Sequence, residues 1–256
     1  SVTAGAANLF FNDNIGNGTN NPGTVTVNSA NNVDCLGKVL SAGDFSVTNS
    51  GILTISDADG ASDTGTADVS LGGGFTHTAS VTAALHISGD ITTGATGNVA
   101  INCPVTLYGH VRITTSAGSG TVSFADAATV NGDGPGTRDL IISGGSGNVS
   151  FGTTPGAGNA RIGGTNPLRS LSVSTSGNVT VNGRVALDYP GNTALSLTGN
   201  AEHLCNPISV TSGNVTIVNA GLFLTDEDAD ITVSDATSSF SQPATAAGIC
   251  QLSGGI

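Results

Sequence analysis

Residues 177–183 read Gly-Asn-Val-Thr-Val-Asn-Gly, and the phrase returns along the chain. It stands as Gly-Asn-Val-Ala-Ile-Asn from Gly97, Gly-Thr-Val-Ser-Phe from Gly120, Gly-Asn-Val-Ser-Phe from Gly147 and Gly-Asn-Val-Thr-Ile-Val-Asn from Gly213, with a degenerate Gly-Asn-Ala-Glu-His-Leu from Gly199. Successive copies start 23, 27, 30, 22 and 14 residues apart. A loose period of this size marks stacked units that are each too small to bury their own apolar side. Gly and Asn tolerate left-handed backbone angles, so the pair is expected to make a corner. The Val-x-Val or Val-x-Phe that follows alternates sides of a strand. Val179 and Val181 are therefore predicted to face inward, with Thr180 and Asn182 facing out. The same reading turns Val99, Ile101, Val122, Phe124, Val149, Phe151, Val215 and Ile217 inward and places Asn98, Asn148, Asn178 and Asn214 at corners.

A second kind of strand lies between the phrases, at 139–143, 169–174, 193–198 and 208–212. Strand, corner, strand and looser loop make one coil, and stacked coils pair their backbones about 4.8 Å apart. No stretch of a dozen residues carries a 3.6-residue period free of Gly and Pro, which excludes a doubly wound α/β fold. The expected fold is all-β, a right-handed parallel β-solenoid (β-helix) with atypical terminal segments. The rival is an antiparallel β-sandwich, which alternating strands between turns also suit. Residues 1–50 are expected to be an N-terminal cap or assembly segment, 51–220 the strand-repeat body, and 221–256 a C-terminal cap or tail.

Composition supports a packed β protein. Of 256 residues 38 are Gly and only 9 % are charged, against about 25 % in ordinary domains. Disordered chains are poor in β-branched residues, whereas Val, Ile and Thr recur throughout here. The net charge of −12 argues against nucleic acid and anionic membranes. No apolar run reaches the roughly 18 residues of a membrane span. The sequence has no Met, so Ser1 is expected to be a product of processing and the chain to be secreted, its signal removed. Cys35, Cys103, Cys205 and Cys250 then permit two disulfides. Alternatively they are small buried apolar residues. Cys103 and Cys205 each stand six residues after a phrase glycine, so they are expected at equivalent coil positions, on the order of 20 Å apart and out of bonding reach. The expected pairs are Cys35–Cys103 and Cys205–Cys250, or else a bridge from Cys250 to Cys35 of a successive subunit.

The run Gly-Gly-Thr-Asn-Pro-Leu-Arg-Ser-Leu-Ser-Val from Gly163, followed by Gly177-Asn-Val-Thr, resembles the strand repeats of filamentous-haemagglutinin-like and related bacterial surface adhesins. Gly163, Gly164, Thr165, Pro167, Leu168, Ser170, Leu171, Val173, Gly177, Asn178, Val179 and Thr180 carry the resemblance. Looser echoes extend over roughly 94–220, and residues 1–90 do not share it. The resemblance implies a right-handed parallel β-helix, a place outside the cell or on its surface, and adhesive or fibre-forming use. It brings no catalytic residues.

Several groups could carry chemistry. Asp57, Asp59 and Asp63, and separately Asp226, Asp228 and Asp230, are oxygen-rich loops of the kind that suits Ca²⁺. In the first, Gly60 stands fourth rather than sixth, so an EF-hand is excluded. Asp also favours turns without any ion. A glycosidase needs two acids about 5–10 Å apart in a sugar groove, and such grooves use aromatic platforms. Here aromatics are 4 %, with Tyr108 and Tyr189 the only tyrosines. The cations a uronate lyase would want are few: Lys38, Arg112, Arg138, Arg161, Arg169 and Arg184. His77, His86, His110 and His203 show no metal-ligand spacing. Asn17, Asn148, Asn178 and Asn214 head Asn-x-Ser/Thr sequons. The expected function is a non-catalytic structural or adhesive subunit that self-associates head to tail, with Leu9, Phe10 and Phe11 at the joint. The alternatives are a carbohydrate-active enzyme or carbohydrate binder, and an ice-binding or calcium-dependent adhesin domain.

Overall fold

The computed structural model of the chain describes residues 1–58, 60, 67–79, 83–155, 161–226, 229–242 and 249–252, with the backbone alone at 222–224 and 249–252. Among these residues the regular elements are strands, without a helix. Every strand pairing is parallel. An antiparallel sandwich is thereby excluded and the chain is a parallel β-solenoid.

The coil has three faces. Face 1 stacks eleven strands from Val2–Thr3 to Ile249–Leu252 and includes Val99–Ile101, Val122–Phe124, Val149–Phe151 and Val179–Val181. Face 2 runs through six strands from Leu9–Phe11 to Val130–Gly132. It continues across a single bridging residue, Ile162, into Val185–Leu187, Ile208–Val210 and Ile231–Val233. Face 3 stacks nine strands from Val39–Ser41 to Phe240–Ser241. On face 1 a coil takes from 20 residues (Val27 to its partner Val47) to 30 (Phe45 to Phe75). The sheets pass through positions 50 and 220 without a break, since Phe45–Asn49 pairs with Phe75–Ala79 and Glu202–Leu204 with Leu222–Thr225.

Alternation delivers the core. The ten residues expected inward are each 1 % exposed or less. Like residues stack down the axis, and the rings of Phe124 and Phe151 lie 4.9 Å apart and nearly parallel. One copy of the phrase is out of phase. Val215 and Ile217 pair with Leu195 and Leu197 on face 3, whereas the copies at 97, 120, 147 and 177 open strands of face 1. The second kind of strand is likewise two kinds: 139–143, 170–174 and 193–199 lie on face 3, and 208–210 on face 2.

The glycines of the phrase act differently from the expectation. Gly97, Gly120, Gly147 and Gly177 do not adopt positive φ; among the phrase glycines only Gly213 does, at 104°. They are required by close approach. A Cβ on Gly97 would lie 2.0 Å from the Gly73 carbonyl oxygen, on Gly120 2.4 Å from Gly97 O, and on Gly147 2.0 Å from Gly120 O. The ladder passes on to Gly177, whose Cβ would lie 2.4 Å from Gly147 O. Buried threonines close the same corner: Thr93 and Thr115 donate to the carbonyls of Gly97 and Gly120, and Thr175 to that of Gly147.

Asn and Asp at the corners join one coil to the next. Asn98 Oδ1 accepts the Thr121 N–H and Asn148 Oδ1 that of Asn178. Asn178 Oδ1 accepts from Asn200 Nδ2, and Asn214, which opens the strand Asn214–Asn219, takes the Ser239 N–H. Acids do the same, Asp68 for the Asp90 N–H and Asp90 for that of Arg112. Three of the four sequon asparagines are thus built into ladders. The fourth, Asn17, accepts from the Thr19 and Asn20 amides in its own turn.

Cys35, Cys103 and Cys205 are free and buried, so the expected Cys35–Cys103 and Cys205–Cys250 bridges are absent at those three thiols. The register explains why. Cys35 lies on face 2 beside Ile55, whereas Cys103 follows a strand of face 1 that stacks beyond Phe75–Ala79. Cys250 shares its column with Phe223 and Glu202, two coils from the coil of Cys205. At about 4.8 Å per coil, neither pair meets disulfide geometry. Cys35 is 1 % exposed, which also removes it as partner for a neighbouring subunit. Cys103 and Cys205 are not equivalent either: Cys103 stands two places after Ile101, Cys205 one after Leu204. We expect all three thiols to resist alkylation in the native protein and to react at once in denaturant, and a non-reducing peptide map to recover them unbridged. Alkylation at native rates would show the corners open.

Candidate functional site

The expected assembly residues form the strand Leu9–Phe11, which pairs on one side only, with Val33–Cys35. Among the described residues its other edge carries no strand. Leu9 and Phe11 are half-buried against the end of the core, while Phe10 is 56 % exposed and Val2, on the neighbouring edge strand, 38 %. The first coil thus ends in free backbone donors and acceptors and in apolar side chains.

The acidic loops do not share one role. Asp59, Asp63 and Asp228 lie outside the described residues. The Asp57 N–H donates to Ser88 Oγ, a coil-to-coil contact. Asp230 is exposed, and its carbonyl accepts the Ile208 N–H. Among the described residues Asp226 meets a histidine and a cysteine. Its Oδ1 lies 2.8 Å from His203 Nε2, and Cys205 Sγ lies 3.6 Å from that same nitrogen. The three donor atoms all fall within 4.8 Å of one another. The hydrogen bond to His203 holds the Asp226 carboxyl below its usual range. Burial, reinforced by Asp226, pushes the Cys205 thiol up to about 12.

Register builds this cluster. Val181 pairs with Leu204 and Leu204 with Thr225, so the next residues, Asn182, Cys205 and Asp226, stack in one column. Their amides donate to Phe151, Val181 and Leu204 in turn. Asn182, expected to face outward, turns into the corner instead, accepts the Cys205 S–H at 3.0 Å and donates to Gly152 O. His203 stands two places before Cys205 and so points to the same side. Sequence reading missed the group because its members come from two successive coils. His203, which shows no metal-ligand spacing in the sequence, is brought beside Cys205 and Asp226 by the fold.

Two other groups stand out. His77 is buried between Asn49 Oδ1, 2.6 Å from its Nε2, and Cys103 Sγ, 3.0 Å from its Nδ1. A Cys-His-Asn order is present, but Cys103 is 1 % exposed, so no substrate reaches the sulfur. On face 2, Tyr108 is 48 % exposed and its ring lies 5.0 Å from that of His86, beside a recess lined by Thr54 and Ser88. Comparison of the chain with protein-family models, with curated proteins and with solved structures found no match.

Proposed function

We propose that the chain is a non-catalytic structural unit of an extracellular or cell-surface fibre, an adhesin-like rod that propagates by stacking coil on coil. The observation that carries this reading is the open edge of the first coil. Unpaired strand edges template further pairing, and few charges guard this one. A head-to-tail contact of unlike ends does not close on itself and so grows into a filament. The resemblance of 163–183 to adhesin repeats supports the same reading. Electron microscopy and light scattering test it. Purified chain is expected to form regular filaments. Removing residues 1–11, or replacing Leu9 and Phe11 together by Lys, is expected to leave soluble monomers. Filaments that persist unchanged in both variants would place the joint elsewhere and sink the proposal.

A second reading is favoured by Tyr108. An exposed ring beside an imidazole and hydroxyls is a surface on which a sugar stacks, which suits an adhesive rod. Tyr108→Ala is expected to abolish retention on a polysaccharide column without altering filaments. Equal retention of wild type and variant would end this reading.

A further inference from the structure

We propose that His203, Cys205 and Asp226 form a site for one divalent transition-metal ion of the zinc class, which ties neighbouring coils together. The geometry converges on a point. Oδ1 and Sγ both approach the same ring nitrogen, at 2.8 and 3.6 Å. This excludes a Cys-His-Asp relay, in which thiol and carboxylate must hold opposite nitrogens of the imidazole. It suits an ion, which binds as the Cys205 thiol proton is released to solvent and the His203 proton sits on Nδ1, and which takes one lone pair from each of Nε2, Sγ and Oδ1.

The donor set selects the metal. Imidazole and thiolate suit zinc and its neighbours in the transition series. Calcium takes six to eight oxygens, and the described part of this cluster offers one carboxylate. The His203 and Asp226 side chains are 38 % and 40 % exposed, so the outer side is open for entry and for a water as fourth ligand. Cys205 is 4 % exposed and held by Asn182 from below. In the metal-free site Asn182 Oδ1 accepts the Cys205 S–H, a hydrogen bond that gives way when the thiol is deprotonated for the ion. His203 and Cys205 belong to one coil and Asp226 to the next, so the ion bridges a coil interface near the C-terminal end of the described stack.

Cobalt(II) is the probe, added to reduced, metal-free full-length protein. The expected result is a thiolate-to-cobalt charge-transfer band with intense tetrahedral visible bands, saturating at about one equivalent and bleached by Zn²⁺. Cys205→Ser loses the charge-transfer band, and Cys250→Ser keeps it. His203→Gln and Asp226→Asn each weaken cobalt affinity at least about tenfold. Zn²⁺ raises the thermal midpoint of the wild type and leaves that of Cys205→Ser where it was. His203 and Asp226 are surface groups, so their variants report binding even if Cys205→Ser folds poorly. The proposal is overturned by the absence of a thiolate band, by a band that survives in Cys205→Ser, or by wild-type affinity in both His203→Gln and Asp226→Asn.

Discussion

Replacing Gly147 by alanine is expected to unfold the middle of the solenoid, at a cost of about 4 kcal/mol or more. The single added methyl would lie 2.0 Å from the Gly120 carbonyl oxygen. That neighbour is backbone hydrogen-bonded within the stack and cannot swing aside. The coils would have to part locally, and the parting breaks ladder bonds on both sides, because Val149 donates to Asn178 O and Val122 donates to Asn148 O. Each coil of a solenoid is stabilised only by its neighbours, so a split interface weakens the two halves together. Gly23 is the control: a Cβ there meets nothing within 4 Å and its φ is not positive. Gly23→Ala should stay within about 0.5 kcal/mol of wild type. Denaturant midpoints and strand content by circular dichroism measure both. A Gly147→Ala protein within about 1 kcal/mol of wild type would refute the close-approach role of the glycine ladder.

That ladder shows how far the sequence could be read. The phrase Gly-Asn-Val locates the corner and the strand, because alternation at Val99, Val122, Val149 and Val179 is a local property that one chain displays. The reason for the glycine is not local. It depends on the carbonyl of the previous coil, 23 to 30 residues back, and only the folded stack brings that carbonyl near. The third face was hidden for a related reason. Strands such as Asp139–Ser143 and Ile208–Val210 look alike in composition yet belong to different sheets. The out-of-phase copy at Gly213 disguised the change of face. The meeting of Asp226, read from the sequence only as a calcium candidate, with His203 and Cys205 lay beyond reading, because variable loop lengths scramble the spacing between side chains that meet in successive coils. The expected disulfides failed through the same register that assembled the cluster.

The pH dependence of stability should reveal two buried groups acting in opposite directions. Glu202 occupies an inward position of face 1, in the column of Val179 and Phe223, and is 1 % exposed. Its oxygens lack a well-formed hydrogen-bond partner among the described residues, only the Gly199 amide lying near. Burial pushes its pKa up from 4.5 to about 8, the Gly199 amide pulling weakly the other way. Between those values the folded state holds a proton that the unfolded chain has released, so stability falls as pH rises through that window. His77 does the reverse. Burial lowers it from 6.5 to about 4, so the unfolded chain holds the extra proton there and stability rises with pH from about 4 to 6.5. A tenfold difference in proton affinity between the folded and unfolded states is worth about 1.4 kcal/mol. From about pH 4.5 to 6.5 the two slopes oppose each other, with His86, also lowered by burial, adding to the His77 side, and Glu202 alone acts above that. With a chelator present, wild-type stability should be level or rise slightly across the lower window and then drop by about 2 kcal/mol toward pH 8. Glu202→Gln should instead gain about 3 kcal/mol from pH 4 to 6.5 and stay level beyond. Glu202→Val, which restores the apolar column, should exceed wild type at pH 8 by roughly 2 kcal/mol or more. Carboxyls held below their usual range, such as Asp133 beside Arg138, act only at lower pH and leave these windows clear. Urea titrations at half-unit intervals read the whole curve. A wild-type protein that gains stability between pH 6.5 and 8, or a Glu202→Val variant weaker than wild type at pH 8, would show that the carboxyl is solvated and not enclosed in the core.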